Sequence, residues 1–557
     1  MVMKNKVSNI TAKGLLFTIL AVFGQSCTSD AWEDHYRTES GQTSTITLWD
    51  QLEGIDDVSE FRTLLDSVKV MNGKKLTAIS YAELLKMQFF TVFAPVNGSF
   101  NLDSLLSLCT TSEGNRQVER FFVMSHLSRT PQSHSSYVDR KATMYNGKKL
   151  VFKQGSLSGV PIIESKSNLL ARNGMVHCVE GPIPYVFNVY ESILYMPELE
   201  GMGAFVLPYQ KDSLDERTSV VEGIQDGLTV YVDSVMIEKN ELLYYFGPIN
   251  AEDSTFHMIA PSKTAWDAVY AEASTYFNYG SITGADKLQD YWTNFSLMKD
   301  LFFNWNLQES PQDSLVSTQY NKYRAEKKRH VFFNPYDEGG ILSNIKETVP
   351  VSNGVVYTTD EWPFTFEEVF YFPIEVEVEY EGYIKEFNAA KFTYTPRQKF
   401  ADSISNDAYL YVRPIKNTEQ PVITFYIPNT LSGKYNVSVV LLPKTVHNPL
   451  TTDFKPNKIS GVLSFYDESG NLQNQSCRGL EGTTPVAFHS NDPYRVDTVG
   501  LTTVDFPTCN YAQENITVSL RIQSAVSARE LTRFSHEMYI DCILLEPITT
   551  KPDNNEE

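Results

Sequence analysis

The sequence is short of basic residues, short of cysteine, and has no apolar run long enough to cross a membrane as a mature helix. Its 557 residues carry 47 Lys and Arg against 68 Asp and Glu, a formal net charge of −21. Nucleic-acid binding rests on cations that neutralise phosphates, so this balance excludes nucleic acid as the main partner. Adsorption to anionic headgroups is disfavoured for the same reason. The six cysteines, Cys27, Cys109, Cys178, Cys477, Cys509 and Cys542, form no CxxC pair and no zinc-ligand spacing. They exclude a disulfide scaffold and read as small buried hydrophobes, Cys27 apart. HExxH, GxSxG, P-loop and dinucleotide fingerprints are missing. Gly155 to Gly159 has the outline of a serine elbow, but Leu157 stands at its centre. Nine histidines show no ligand spacing, so no metal and no cofactor is expected. What remains is ordinary globular composition, 42% hydrophobic and 21% charged, enough for three or four domains. Aromatics at 13% lean towards β-structure.

The N-terminus reads as an export signal. Lys4, Lys6 and Lys13 form a positive region, and Gly14 to Gly24 is an apolar core too short to span a bilayer. It ends in Gly24-Gln25-Ser26-Cys27, which resembles a relaxed bacterial lipobox with Gln25 departing from the usual small residue. The resemblance implies a signal peptide over 1–26 and lipid attachment at Cys27. An ordinary secretory signal is the alternative. The acidic stretch from Asp30 to Asp34 resembles the surface-export signal of Bacteroidetes lipoproteins, which makes 27–43 a tether. The partner membrane would be a bacterial outer membrane, reached through acyl chains, with the domains facing outward rather than into the periplasm.

Two motifs occur twice. Phe90 to Phe100 (FTVFAPVNGSF) parallels Phe256 to Trp266 (FHMIAPSKTAW). Each is an apolar strand stopped by Ala-Pro (Ala94-Pro95 and Ala260-Pro261), because proline cannot donate to a sheet ladder. A polar residue, Asn97 or Ser262, is then expected to cap a helix. Leu102, Leu105 and Leu106 share one face of the first helix; Ala265, Trp266, Val269, Tyr270 and Ala273 share one face of the second. Further on, Asn173-Gly174-Met175-Val176-His177 parallels Asn353-Gly354-Val355-Val356-Tyr357, an Asn-Gly turn leading into a strand.

This pair of motifs resembles the fasciclin domain, whose first block runs Thr-Val-Phe-Ala-Pro-Thr and whose second reads Asn-Gly-Val-Val-His. Thr91, Phe93, Ala94, Pro95, Phe100, Asn173, Gly174, Val176 and His177 carry the first copy, with Ser125-His126 at the family's Tyr-His pair. Ala260, Pro261, Trp266, Asn353 and Gly354 carry a divergent second copy. There His257 replaces the threonine, Tyr357 the histidine, and Phe303-Asn304 stands in the region of the Tyr-His pair. The resemblance implies two compact α+β wedges, over 44–190 and 191–370, serving adhesion or interaction, with no catalytic residues. These motif residues read as fold-defining. His126 and His177 read as hydrogen-bonded core histidines, not a metal pair.

After Trp362 the pattern turns to short strands and turns, which suggests an all-β sandwich or jelly roll over 371–550, followed by a disordered tail at 551–557. Gly433-Lys434-Tyr435-Asn436-Val437 and the final strand Met538 to Pro547 look like galactose-binding-type jelly rolls. Tyr409, Tyr411, Tyr426, Tyr494 and Tyr511 could stack on sugars, although core or ordinary surface packing explains each. Arg324, Lys327, Lys328, Arg329 and His330 form a basic cluster expected to be a solvated helix end or loop.

The sequence therefore predicts a multidomain protein, two α+β fasciclin-like wedges followed by a β-sandwich. The expected role is non-enzymatic: adhesion, or binding of glycan or surface-protein ligands, as an accessory to a nutrient-uptake system of the starch-utilisation type. The alternatives are a glycan-active enzyme with a carboxylate pair in the sandwich, and a structural spacer.

Overall fold

The computed structural model describes residues 44–133, 139–153, 155–214, 220–225, 228–233, 236–304, 314–320, 329–394 and 404–549. Cys27, the tether, Arg324, Lys327, Lys328 and the 551–557 tail lie outside the described residues. The chain divides into two units, Met1–Val186 with Asp212–Glu238, and Phe187–Lys211 with Lys239–Glu557.

In the first unit, β1 (Phe90–Pro95) and β2 (Gly174–Val179) are buried along their whole length and pair in parallel. A strand covered on both faces reads as a continuous apolar run, which is why these segments stood out. Phe90 lies opposite Gly174 and Pro95 opposite Val179. The short strands Leu127–Ser128 and Leu169–Ala171 complete a four-stranded sheet on either side of the pair. A second four-stranded sheet runs from Arg140 to Pro161. In the second unit, β3 (Phe256–Pro261) and β4 (Gly354–Thr359) repeat the pairing, with Phe256 opposite Gly354 and Pro261 opposite Thr359. They lie inside a six-stranded sheet.

The Asn-Gly dipeptides have a backbone reason. Gly174 and Gly354 sit at φ +145° and +151°, and a Cβ there would lie 1.9 Å from the carbonyl oxygen of Phe90 and 1.8 Å from that of Phe256. No side chain fits. The preceding asparagines each hold three backbone groups. Leu48, the first residue of α1 (Leu48–Glu53), donates its N–H to Asn173 Oδ1 at 2.8 Å. Asn173 Nδ2 donates to the carbonyls of Leu85 and Gln88. In the second unit Val189, the first residue of α2 (Val189–Tyr195), donates to Asn353 Oδ1 at 2.9 Å, and Asn353 Nδ2 donates to the carbonyls of Ile249 and Ala251.

Two local expectations fail. Asn97 does not cap the first helix. Gly98, at φ +73°, turns the chain, and the helix starts at Leu102 with Asn101 as its cap. Asn97 instead ties Asp56, Ser59 and Glu60 together. Ser262 does stand before α3 (Lys263–Ala273), but its side chain makes no capping bond. The counterpart of Ser125-His126 is also not Phe303-Asn304. Ser128 pairs with Thr91 and Phe303 pairs with His257, so the register sets Leu301 in the place of His126. Leu301 is fully buried, an apolar substitute for a neutral imidazole.

From Ile374 on the second unit is mostly β: β5 (Ile374–Glu377), β6 (Ile384–Asn388), β7 (Ala390–Tyr394), β8 (Leu410–Pro414), β9 (Val422–Tyr426), β10 (Gly433–Leu441), β11 (Ile459–Tyr466), β12 (Leu472–Ser476), β13 (Asp497–Phe506), β14 (Ser519–Ser524) and β15 (Met538–Ile548). They form two antiparallel sheets, ordered β7-β8-β15-β10-β13 with β5 also on β15, and β6-β9-β14-β11-β12. The Gly-x-Tyr-x-Val strand β10 lies beside the final strand β15, with Val437 opposite Leu545. Alternation along β11 turns Ile459, Leu463 and Phe465 inward. Each such buried side chain contributes about 1.5–3 kcal/mol. One apolar core runs from Val189 of the second repeat through Tyr371 to Leu545 of the sandwich, so 191–370 and 371–550 share it.

Candidate functional site

The fasciclin-like motif residues are walls of the core. Thr91, Phe93, Ala94, Pro95, Val176, His177, Ala260, Pro261, Trp266, Asn353 and Gly174 are buried; Phe100, Asn173 and Gly354 are half-buried. Phe100 packs on Phe122 with ring centroids 5.1 Å apart. Both nitrogens of each core histidine are bonded. His126 Nδ1 donates to the Phe122 carbonyl at 2.8 Å, and its Nε2 accepts from the Ile183 N–H at 2.9 Å. Burial holds its pKa down at about 4, so the ring is neutral. His177 accepts at Nδ1 from the Asn168 N–H and donates from Nε2 to the Gln132 carbonyl. Among the described residues no group of His, Cys, Asp or Glu is placed to hold a metal ion, and no helix is long and apolar enough to cross a membrane.

The basic cluster is only in part what the sequence suggested. His330 lies buried in the strand Arg329–Phe333, 3.3 Å from Asp300. Lys299 Nζ donates to Asp300 and to the Val369 carbonyl, and Ser317 Oγ donates to Asp300 at 2.9 Å. Burial raises the Asp300 carboxyl, but the charges of Lys299 and His330 outweigh it and hold the pKa at about 2. All four side chains are closed to solvent, so they brace the core and offer nothing to a ligand.

The candidate tyrosines separate by exposure. Tyr409 and Tyr511 are buried, and Tyr411 is half-buried with its ring stacked on Tyr539 at 4.9 Å. Tyr426 is half-buried within β9. Tyr494 alone of the five is 71% exposed. It stacks on Phe454, 38% exposed, with centroids 5.2 Å apart and planes 23° from parallel. Two loops of the sandwich bring them together, one after the short helix Lys444–His447 and one just before β13. The second loop is fixed from within: the Tyr494 N–H donates to Asp492 Oδ1, the Asp492 N–H donates to Asp497, and Arg495 pairs with Asp492 at 3.1 Å.

The chain neighbours of the pair, Asp453, Lys455 and Pro493, line a polar recess. Lys444 bridges Asp453 at 3.4 Å and Glu537 at 2.9 Å, and Tyr411 donates to Glu537 at 2.7 Å. A cavity of about 10 Å³, the size of one water, lies among Lys444, Asp453, Asn457, Asn491, Glu537 and Tyr539. Burial raises the Glu537 carboxyl, but hydrogen bonds from Tyr411 and Lys444 outweigh it and leave it below the ordinary range. Lys444 is thus shared between the two carboxylates. The arrangement suits stacking on the apolar face of a pyranose, with rim donors and acceptors for its hydroxyls.

A larger cleft of about 480 Å³ lies where the second repeat meets the sandwich, floored by Tyr276, Trp362 and Phe366. Beyond Tyr276 lies another, of about 690 Å³, that includes Asn278, Lys434, Glu468 and Asp505. Its polar groups are largely engaged, Asn278 with Glu468 at 3.1 Å and Lys434 with Glu481. Sequence reasoning missed Phe454 and both clefts. Their residues come from loops far apart in the chain, with no local pattern to join them.

No family model and no curated protein matches the chain. Among solved structures, one similar in part is the CBM22-1–GH10 segment of xylanase 10B from Clostridium thermocellum, at 9% identity and TM-score 0.21 over 32% of this chain and 29% of that one. The chain thus spans less than a third of that protein. The CBM22-1 xylan-binding domain of Xyn10C from Paenibacillus barcinonensis matches at 12% identity and TM-score 0.19, over 32% of this chain and 95% of that one. A family 35 carbohydrate-binding module from Clostridium thermocellum matches at 10% identity and TM-score 0.18, over 32% and 99%. Likeness at this level carries no argument about function.

Proposed function

We propose that this chain is a lipid-anchored, non-enzymatic binding protein of the bacterial outer-membrane surface, carrying two fasciclin-like modules and a sandwich that takes glycan. The stacked, exposed Phe454–Tyr494 pair, whose chain neighbours Asp453 and Pro493 line a recess with Lys444 and Glu537, carries the reading. Flat aromatic faces bind sugar rings by dispersion and CH–π contact, and charged rim groups fix hydroxyl orientation. The lipobox-like Cys27 and the acidic tether support attachment to the membrane by acyl chains, with the soluble units held outside. Such a molecule suits adhesion, or capture of glycan ahead of uptake.

The test is a glycan array on the mature chain, followed by calorimetry on the retained ligands. Tyr494→Ala and Phe454→Ala are expected to weaken binding at least ten-fold while leaving the melting temperature within a few degrees. Unchanged affinity in both variants, or an array with no retained glycan, would sink the proposal.

A further inference from the structure

The 480 Å³ cleft has a chemistry different from that of the aromatic pair. Its floor is aromatic and apolar: Tyr276, Trp362 and Phe366. Its lining is also acidic, with Glu272, Glu361 and Glu367, and no Lys, Arg or His is among the described residues that line it. A fourth carboxylate, Asp360, is already neutralised by Lys346 at 2.9 Å. Glu361 accepts a hydrogen bond from Asn344 at 3.1 Å. Glu272 and Glu367 both act on Tyr276: burial first, then their fields, raise its phenol above the ordinary range. Two negative groups thus converge on one aromatic ring.

An aromatic face beside carboxylates is the chemistry that recognises a planar cation. The ring quadrupole attracts the charge, and a carboxylate takes the guanidinium N–H groups in bidentate fashion. We infer that this cleft binds an arginine-bearing segment of a partner protein, with a guanidinium set between Tyr276, Trp362 and the Glu272, Glu361 and Glu367 carboxylates. A cleft of this volume admits an extended segment of a few residues. Charge complementarity selects a basic segment over a neutral sugar.

The experiment measures fluorescence anisotropy of a labelled hexa-arginine peptide titrated with the full chain at several salt concentrations. The triple variant Glu272→Gln, Glu361→Gln, Glu367→Gln is expected to weaken binding at least ten-fold. A control with equal charge loss elsewhere, Asp66→Asn, Asp337→Asn, Glu514→Gln, is expected to change it less than two-fold. Equal weakening by both triples would reduce the effect to net charge and overturn the inference. So would absence of binding at low salt, or displacement by spermine as efficient as by unlabelled peptide. The readout is independent of glycan, so loss of the sugar-binding reading leaves it standing.

Discussion

His257 Nδ1 lies 3.0 Å from the hydroxyl of Tyr357, and the two rings stack at 5.8 Å and 12°. In the first repeat the same strand positions hold Thr91 and His177, which both reach the 130–132 loop. Thr91 donates to the Thr130 carbonyl, and His177 donates to the Gln132 carbonyl. The second repeat has exchanged both residues together and closed the pair on itself. Substitutions that look like loss of a motif leave His257 Nδ1 and the Tyr357 hydroxyl within hydrogen-bond reach of each other.

That pair and His126 predict acid sensitivity. Burial pulls His257 and His126 each down to about 4 from an ordinary value near 6.5. The unfolded chain then takes up protons that the folded chain refuses, so stability falls as pH drops from about 6.5 towards 4. Each histidine is expected to cost on the order of 2 kcal/mol at pH 5 relative to pH 7. Denaturant unfolding of the wild type and of His257→Gln at the two pH values tests it. A variant slope as steep as the wild type would count against the assignment.

Asp541 predicts the opposite trend. Burial, then the nearby Glu377, Glu379 and Glu375 charges, lift its carboxyl to about 7, against hydrogen bonds from the Ser405 N–H that lower it. A folded acid that holds its proton loses stability as pH rises from about 4 to 7. Asp541→Asn removes the charge and keeps an acceptor for Ser405. It is expected to gain about 2–4 kcal/mol at pH 8 and little at pH 4, as read from urea midpoints.

Asn173 and Asn353 each satisfy three backbone groups that would otherwise be stranded. Replacing either with Ala is expected to cost about 3 kcal/mol, confined to its own unit. Hydrogen exchange resolves the two units and would show protection lost on one side only. Uniform loss across both would be inconsistent with local caps.

Cys27→Ala is expected to abolish labelling by an alkynyl fatty acid and to move the protein from the membrane to the soluble fraction. Retention in the membrane fraction would remove the anchor from the proposal.

The elements that could be read from the sequence are those enforced by the backbone. Proline at 95 and 261 ends a strand, and glycine at 174 and 354 is the one residue that fits against a neighbouring carbonyl. Such requirements act within a few residues and leave a repeated signature. Alternation marked the sandwich strands for the same reason. Asn97 was misread as a cap because the outcome hung on Gly98, whose positive φ delays the helix. The aromatic pair was half legible: Tyr494 was among five candidates, but its separation from the buried Tyr409 and Tyr511 is decided by how loops and strand ends pack, not by a local pattern. Phe454, forty residues away, meets it only through two loops. Glu272 and Glu367 are nearly a hundred residues apart in the chain and meet at Tyr276 only through the folding of the second repeat.

In each repeat the chain enters beside the start of the last strand, Ile46 accepting from the Arg172 N–H and Phe187 from the Ser352 N–H, and leaves at that strand's far end. Tension between those points runs along the strand axis. The hydrogen bonds of six paired residues, from Gly174 to Val179 or from Gly354 to Thr359, are then loaded together in shear and not broken one by one. A module threaded in this way is expected to resist pulling along that axis more than its equilibrium stability suggests, and single-molecule stretching should register a high unfolding force for the first repeat.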